Sequence, residues 1–363
     1  MVDLPQRMRV AIVHYWLLGM RGGEKVVEAL CRLAPQADLF TLFYDPEKVS
    51  PAIRAHRVTA SFLNPLRSYY RSLLPLMPLA LEHFDLRGYD LVISSESGPA
   101  KGVLTDSTAR HVCYCHTPMR YLWDLYPAYL HEWTRSRVKR AVMAPLTNYL
   151  RLWDLASAAR VDEFIANSEN VRRRISKTYR RDARVIHPPV AVESFRCETA
   201  EDYYLIASEL VPYKRIDLAV KCFSKSGRKL RIVGDGPEFG RLRGQASGNI
   251  EFCGRVSDPQ LRDLFARCRA FLMPGEEDFG ITAVEAIGSG KAVIALGHGG
   301  VLEIVPPEGA FLYPAPDEDS LNDAIRRFEA AENEIPSKEL QVSAVRFSEA
   351  EFDRKMREIL CTV

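Results

Sequence analysis

Short apolar runs recur along the chain and end in glycine, proline or small polar residues, and the stretches between them carry apolar positions at helical spacing. In the first half these runs are Arg9 to Tyr15, Asp38 to Tyr44, Arg57 to Ser61, Leu91 to Ser94, His111 to Cys115, Glu163 to Ser168 and Arg184 to Ile186. Helices are predicted from Glu24 and over Glu169 to Tyr179. Pro188-Pro189-Val190 then reads as a stiff linker. After it the same alternation restarts. Its strands are Tyr203 to Ala207, Leu230 to Val233, Ile250 to Cys253, Ala270 to Met273 and Ala292 to Leu296. Its helices begin at about Ile216, at Pro259 (running to Cys268) and at Thr282. Strands that alternate with helices in this way build parallel sheets, so two doubly wound α/β domains are expected.

The loops after the strands hold the candidate chemistry, because open α/β sheets bind ligands outside the carboxyl ends of their strands. Behind Ala270 to Met273 comes Pro274-Gly275-Glu276-Glu277-Asp278-Phe279-Gly280-Ile281-Thr282-Ala283-Val284-Glu285-Ala286. Glu277 and Glu285 have seven residues between them, and the amides of Phe279, Gly280 and Ile281 stand at a helix N-terminus, which suits an anion. Thr282-x-x-Glu285 also fits a capping box, in which Glu285 merely closes a helix end. Behind the first strand, Gly22-Gly23 gives a strand, glycine turn and helix, the geometry that lets backbone amides approach phosphate. A plain tight turn is the alternative there. The turn is not G-x-G-x-x-G, which disfavours a dinucleotide. Lys214 and Arg215, behind Tyr203 to Ala207, are cations placed to meet a diphosphate.

The Glu277-to-Glu285 stretch resembles the E-x7-E signature of the retaining glycosyltransferases of family 4, and the likeness extends over most of the chain. His116-Thr117-Pro118-Met119-Arg120-Tyr121-Leu122-Trp123-Asp124 and Val211-Pro212-Tyr213-Lys214-Arg215 are similar to a subgroup that includes bacterial surface-polysaccharide mannosyltransferases. The resemblance implies a GT-B architecture, two Rossmann-like domains facing a central cleft. Residues 1–190 would form the acceptor-side domain and 191–336 the nucleotide-sugar domain, with 337–363 as a C-terminal helix crossing back to the first. It implies that Glu277 contacts hydroxyls of the donor sugar, Glu285 holds the ribose, His116 lies beside the sugar, and Gly22 and Gly23 face the diphosphate. Lys214, Arg215 and the amides of Phe279, Gly280 and Ile281 would stabilise the departing phosphate. Many members place an Arg where this chain has Glu209, and Pro where it has Ala292. The implied reaction moves a sugar, mannose from GDP-mannose as the leading donor, to a hydroxyl of a lipid-linked or growing saccharide, with retention. No Asp-x-Asp or His/Cys cluster stands out, so neither metal nor cofactor is expected. A sugar-nucleotide epimerase of the same fold, or a non-catalytic nucleotide-sugar-binding partner of a polysaccharide complex, stays open beside this reading.

Composition narrows the partners. A formal charge of +2 over 363 residues lacks the basic excess of a nucleic-acid binder. Eight cysteines show no recurring spacing, and Cys113-x-Cys115 has no complementary pair, so reduced thiols in a cytoplasmic protein are expected. No signal peptide is read at the start, and Leu73 to Leu81, broken by Pro75 and Pro78, is too short to span a bilayer. Two segments suggest contact with the inner face of the membrane or with acceptor. One is the amphipathic Asn64 to Phe84, read as a lid that touches membrane or lipid-linked acceptor, with an ordinary surface helix pair as the alternative. The other is the basic region His131 to Ala159, with Arg135, Arg137, Lys139, Arg140 and Arg151 among Trp133, Met143, Leu146, Tyr149 and Trp153. A solvated basic face is the alternative for the second. Near the end, Ser348-x-x-Glu351 with Phe347 and Phe352 fits a capping box and hydrophobic staple.

Overall fold

The computed structural model describes residues 7–127, 130 and 136–361. The chain divides into two compact units, Met1–Pro188 with Asp353–Val363, and Pro189–Phe352. The first unit carries β1 (Val10–Leu17), β2 (Asp38–Tyr44), β3 (Val58–Ala60), β4 (Leu91–Glu96), β5 (Arg110–Cys115), β6 (Glu163–Ala166) and β7 (Ala183–Val185). They form one parallel sheet in the order β3-β2-β1-β4-β5-β6-β7. The second unit carries β8 (Tyr204–Ala207), β9 (Leu230–Val233), β10 (Ile250–Gly254), β11 (Ala270–Met273), β12 (Ala292–Leu296) and β13 (Ala310–Tyr313). Their order is β10-β9-β8-β11-β12-β13, again all parallel. Both units are Rossmann-like, and in each the strand order reverses beside the first strand, at β1/β4 and at β8/β11.

The apolar runs become strands because both of their faces are buried. In the second sheet, alternate residues separate cleanly. Leu205, Phe271, Met273, Val293 and Ala295 join one core, while Tyr204, Ile206, Leu272, Ala292 and Ile294 join the other. Ala292, the departure from the usual Pro, is 1% exposed in the second of these cores.

Several boundaries differ from the sequence reading. β1 runs on through Trp16 and Leu17 because these pair with Phe43 and Tyr44 of β2. β13 was not predicted; it is four residues long, and only its pairing with β12 marks it as a strand. Asn64 to Phe84 is a kinked 3-10 stretch, Asn64–Leu76, followed by a short α-helix, Met77–Glu82, instead of a helix pair. Its prolines explain this, since Pro65 and Pro75 lack the N–H that α-helical bonding needs. His131, Trp133 and Arg135 lie outside the described residues, and the basic helix is described over Arg137–Ala158. The final helix, Glu349–Leu360, is capped as expected, with the Glu351 N–H donating to Ser348 Oγ at 3.3 Å and Phe347 and Phe352 both buried. Further along that helix Asp353 pairs with Arg32 at 3.6 Å, and the Ile359 carbonyl accepts from Arg110 at 2.8 Å. Among the described residues no helix is long and apolar enough to cross a membrane. All eight cysteines are free thiols.

The loop after β9 packs directly on the loop after β8, and glycine makes this possible. A Cβ on Gly234 would stand 1.9 Å from the Ser208 carbonyl oxygen, and its φ of +126° already disfavours a side chain. Gly240, within the helix Phe239–Gln245, meets nothing within 4 Å. Gly234→Ala should therefore destabilise the protein by about 1–3 kcal/mol or more. Gly240→Ala should stabilise it by about 0.5–1 kcal/mol through helix propensity. Urea unfolding midpoints of the two variants check both signs.

Candidate active site

In the second unit, the loops leaving β8 and β11 flank the point where strand order reverses. After β8 a 3-10 turn, Pro212–Lys214, ends in Arg215 with a left-handed φ of 52°. After β11, Gly275 lies against this turn. A Cβ there would sit 2.5 Å from the Tyr213 carbonyl oxygen and 2.7 Å from the Lys214 backbone. The Lys214 ammonium consequently donates to the Glu277 carboxylate as a close ion pair. Their side chains are 14% and 19% exposed, which leaves the pair within reach of a ligand. Burial opposes the Lys214 charge, but Glu277 outweighs it and raises the lysine's pKa. The ammonium also lies 5.3 Å from the centre of the Tyr213 ring.

Glu277 is held from its other side too. It bridges to Gly299, the Gly300 N–H donates to its carbonyl at 2.9 Å, and a Cβ on Gly299 would fall 2.3 Å from that oxygen. Gly280, with φ 109°, caps the helix Ile281–Gly288 without a side-chain bond. This overturns the capping-box alternative at Thr282. Thr282 is the second residue of the helix, and Glu285 is a buried residue of its middle. Phe279 points inward, its ring edge-on to Phe347 at 5.6 Å, so only its backbone is placed to meet a ligand. Arg215 does not join Lys214. Its guanidinium contacts Asp217 and the Pro316 carbonyl, each at 3.4 Å. A small pocket beneath the Lys214–Glu277 pair is lined by Ser208, Gly275 and Thr282 as well. Ser208 was not singled out from sequence, since nothing in its local pattern marks it, and Thr282 was read there only as a helix cap.

In the first unit, Gly22 and Gly23 open the helix Gly22–Leu33 behind β1, and His116 follows β5. The structure brings the glycine turn and the histidine together. A Cβ on Gly23 would lie 3.7 Å from His116 Nε2 and 3.5 Å from both His14 Cε1 and the Tyr15 hydroxyl. His14 and Ser95 were missed from sequence, because His14 reads as part of a buried strand and Ser95 as a small polar residue just past the end of one, whereas β4 runs on to Glu96. His14 Nδ1 donates to the Ser95 carbonyl at 2.8 Å, and Ser95 Oγ lies 2.9 Å from His116 Nε2. Burial, with His116 nearby, depresses His14 to about 3, against the help of its bond to Ser95. Burial alone takes His116 down to about 4. Both imidazoles are therefore neutral at ordinary pH.

The segment after His116 is tied down by a buried charge cluster. Lys101 pairs with Asp154 and, at 3.4 Å, with Glu96. Asp154 also accepts from Trp123 Nε1 at 2.8 Å and from the Tyr179 hydroxyl at 3.0 Å. Asp124 pairs with Arg120 at 3.2 Å and Arg174 at 3.5 Å.

Comparison with known proteins follows the same division of the chain. The sequence model described as Glycosyltransferase Family 4 matches residues 20–194, and that of Glycosyl transferases group 1 matches residues 193–342. The chain belongs to these glycosyltransferases. It is 27% identical over 149 residues to an uncharacterized glycosyltransferase of Methanocaldococcus jannaschii, covering 40% of this chain and 42% of that one. It is 31% identical over 157 residues to the phosphatidylinositol N-acetylglucosaminyltransferase gpi3 subunit of Schizosaccharomyces pombe, covering 39% of this chain and 34% of the relative. This glycosyltransferase thus matches less than half the length of these curated relatives. Among solved structures it resembles Anabaena HepE in complex with UDP and glucose (TM-score 0.71, 15% identity, 98% of this chain and all of that one). It also resembles sucrose-phosphate synthase of Thermosynechococcus elongatus (TM-score 0.72, 17% identity, 98% of each chain). At these identities the likeness establishes the GT-B fold alone.

The electrostatics of the glycosyltransferase's first unit can be tested directly. An imidazole held below its ordinary pKa of about 6.5 stabilises the fold fully above that value, and the contribution is lost as pH falls toward the native pKa. Imidazole ¹⁵N shifts should show His14 and His116 neutral from about pH 8 down to about pH 5. Titration of either near pH 6.5 would contradict the burial described here.

Proposed function

We propose that this glycosyltransferase is a retaining enzyme that moves mannose from GDP-mannose to a hydroxyl of a lipid-linked or growing saccharide, in polysaccharide or glycolipid synthesis. The observation that carries the reading is the Lys214–Glu277 pair, set at the carboxyl edge of the second sheet where its strand order reverses. A cation and a carboxylate in contact suit a ligand that is anionic at one end and rich in hydroxyls at the other. In this reading Lys214 meets the diphosphate while Glu277 turns to the sugar hydroxyls, so donor binding parts the pair. The helix-end amides of Phe279, Gly280 and Ile281 add to Lys214, and Glu285 holds the ribose. Arg215 contributes only after leaving Asp217 and Pro316. Gly22 and Gly23 face the phosphates and His116 the sugar, as a neutral hydrogen-bonding group and not as an acid. A UDP-hexose is the second reading for the donor, favoured by the UDP and glucose bound to the Anabaena relative.

Charge on the leaving diphosphate grows in the transition state, so a preorganised cation acts on kcat more than on donor binding. Lys214→Ala should lower kcat by about 100- to 1,000-fold while keeping much of its donor affinity. Steady-state kinetics beside calorimetric donor binding test this, and a variant that turns over like the parent would remove Lys214 from the site. The same assay, run with GDP-mannose and UDP-hexoses, identifies the donor. A β-linked product seen by NMR would overturn retention.

Peripheral membrane contact belongs to the same proposal. The helix Arg137–Ala158 exposes Val142, Tyr149, Leu152 and Leu155 to solvent. Its basic residues should each add about 1 kcal/mol of attraction to an anionic surface. Reversing the charge of Arg137 and Arg140 should release the protein from anionic vesicles in co-sedimentation. Equal binding to neutral and anionic lipid would leave the helix a solvated face.

A further inference from the structure

Ser95 stands between His14 and His116 and bonds to each in a different way. The three meet because β1, β4 and β5 are neighbours in the first sheet. His14 lies opposite Ser95, and Ser95 lies opposite Tyr114, two residues before His116. The main-chain carbonyl of Ser95 takes the bond from His14 Nδ1 at 2.8 Å, while its side-chain Oγ is 2.9 Å from His116 Nε2. A carbonyl oxygen can only accept, so Nδ1 of His14 carries the hydrogen. In the neutral ring Nε2 is then a bare lone pair, and this is the buried atom of His14 left without a partner.

The hydroxyl of Ser95 can give or take a hydrogen bond, and burial decides which. Ser95 is 0% exposed, and among the described residues the only partner of its Oγ is His116 Nε2. If Oγ accepted from His116, its own hydrogen would be buried with nothing to receive it. If it donates, only lone pairs are left unused. Buried donors without partners are rarer than buried acceptors without them, and His14 Nε2 shows that this region tolerates the second kind. The Ser95 O–H therefore donates to His116 Nε2. In a neutral histidine the bond made by one nitrogen sets where the proton sits, so the hydrogen of His116 is on Nδ1. Burial, which lowers His116 to about 4, keeps the ring neutral and so keeps this choice open. His116 is only partly buried, and among the described residues nothing bonds its Nδ1.

We propose that Ser95 is a positioning residue for His116, whose hydroxyl holds the ring in the Nδ1–H form so that the histidine offers a ligand an N–H donor and no lone pair. The inference rests on the glycosyltransferase reading only for what that donor meets, an oxygen of the donor sugar. It also removes His116 as a base toward an acceptor hydroxyl, because its bare nitrogen is turned to Ser95. Ser95 fixes His14 through the main chain and His116 through the side chain. Alanine at position 95 deletes the hydroxyl and keeps the carbonyl, which separates the two effects.

The test is imidazole ¹⁵N–¹H correlation on the full chain, without ligand, at about pH 8, where both rings are neutral. His14 and His116 should each appear as a single tautomer with the hydrogen on Nδ1. Ser95→Ala should release His116 toward the Nε2–H form that free histidine prefers, while His14 keeps its Nδ1–H signal and so reports that the variant folds. Ser95→Thr, which keeps a hydroxyl, should leave both signals in place; should the added methyl not be accommodated, the alanine comparison decides. A parent His116 with its hydrogen on Nε2, or one that Ser95→Ala leaves unchanged, overturns the proposal. So does a change in both rings, which would make Ser95 a packing residue. Sugar transfer is scored separately. Loss of one hydrogen bond in Ser95→Ala should lower kcat/KM by about three- to tenfold, with Ser95→Thr restoring it. His116→Asn, whose amide nitrogen falls near the Nδ1 position, should retain more activity than His116→Gln, whose amide falls near Nε2; the reverse order would overturn the donor face. A protein that shows the expected tautomers but transfers no sugar refutes the glycosyltransferase reaction and leaves the hold of Ser95 on His116 standing. An active enzyme whose His116 carries its hydrogen on Nε2 refutes the part played by Ser95 alone.

Discussion

Lys214 reaches Glu277 only because Gly275 has no side chain. The loops after β8 and β11 touch backbone to backbone at that point, and any Cβ would force them apart. Gly299 and Gly300 repeat the device on the other side, where their own Cβ atoms would strike the carbonyls of Glu277 and Phe279. Glu277 is thus gripped between two loops before any ligand arrives. Such preorganisation matters because a group that must be ordered during the reaction loses part of its benefit to that ordering.

The two units differ in how they treat charge. The second keeps an ion pair at its strand edge, partly open to solvent. The first presents neutral imidazoles above a buried cluster in which Lys101 stays charged, its desolvation outweighed by Asp154 and Glu96. A buried pair of that kind adds little net stability, but removing one partner costs about 3–5 kcal/mol. Its use lies in what it orders. Asp154 also accepts from Trp123, and so holds the segment that begins at His116.

A structural logic is shared by both halves. In each, the first strand is central, strand order reverses beside it, and the chemistry-bearing loops leave the carboxyl ends of the strands on either side. Glycine turns behind β1, β9, β11 and β12 let those loops lie close. Direct backbone contact leaves little freedom at the site, while loops farther out, such as the 3-10 stretch Asn64–Leu76, are free to carry surface chemistry.

Much of this was legible in the sequence. The runs Leu230 to Val233, Ala270 to Met273 and Ala292 to Leu296 matched their strands end to end, because a strand buried on both faces is written as an uninterrupted apolar run bounded by turn residues. Gly22, Gly23, Lys214, Glu277 and Glu285 could be picked out because strand-end loops are where such folds keep ligands. The sequence could not show that Lys214 and Glu277, 63 positions apart, form a pair, or that Arg215 beside it turns to Asp217. Nor could it separate His14 and Ser95 from the core residues around them. Those outcomes depend on how closely two loops approach and on which side a side chain emerges. Local pattern determines whether a segment is strand or helix. Only the packing of distant segments, down to the one missing Cβ at Gly275, decides which groups meet.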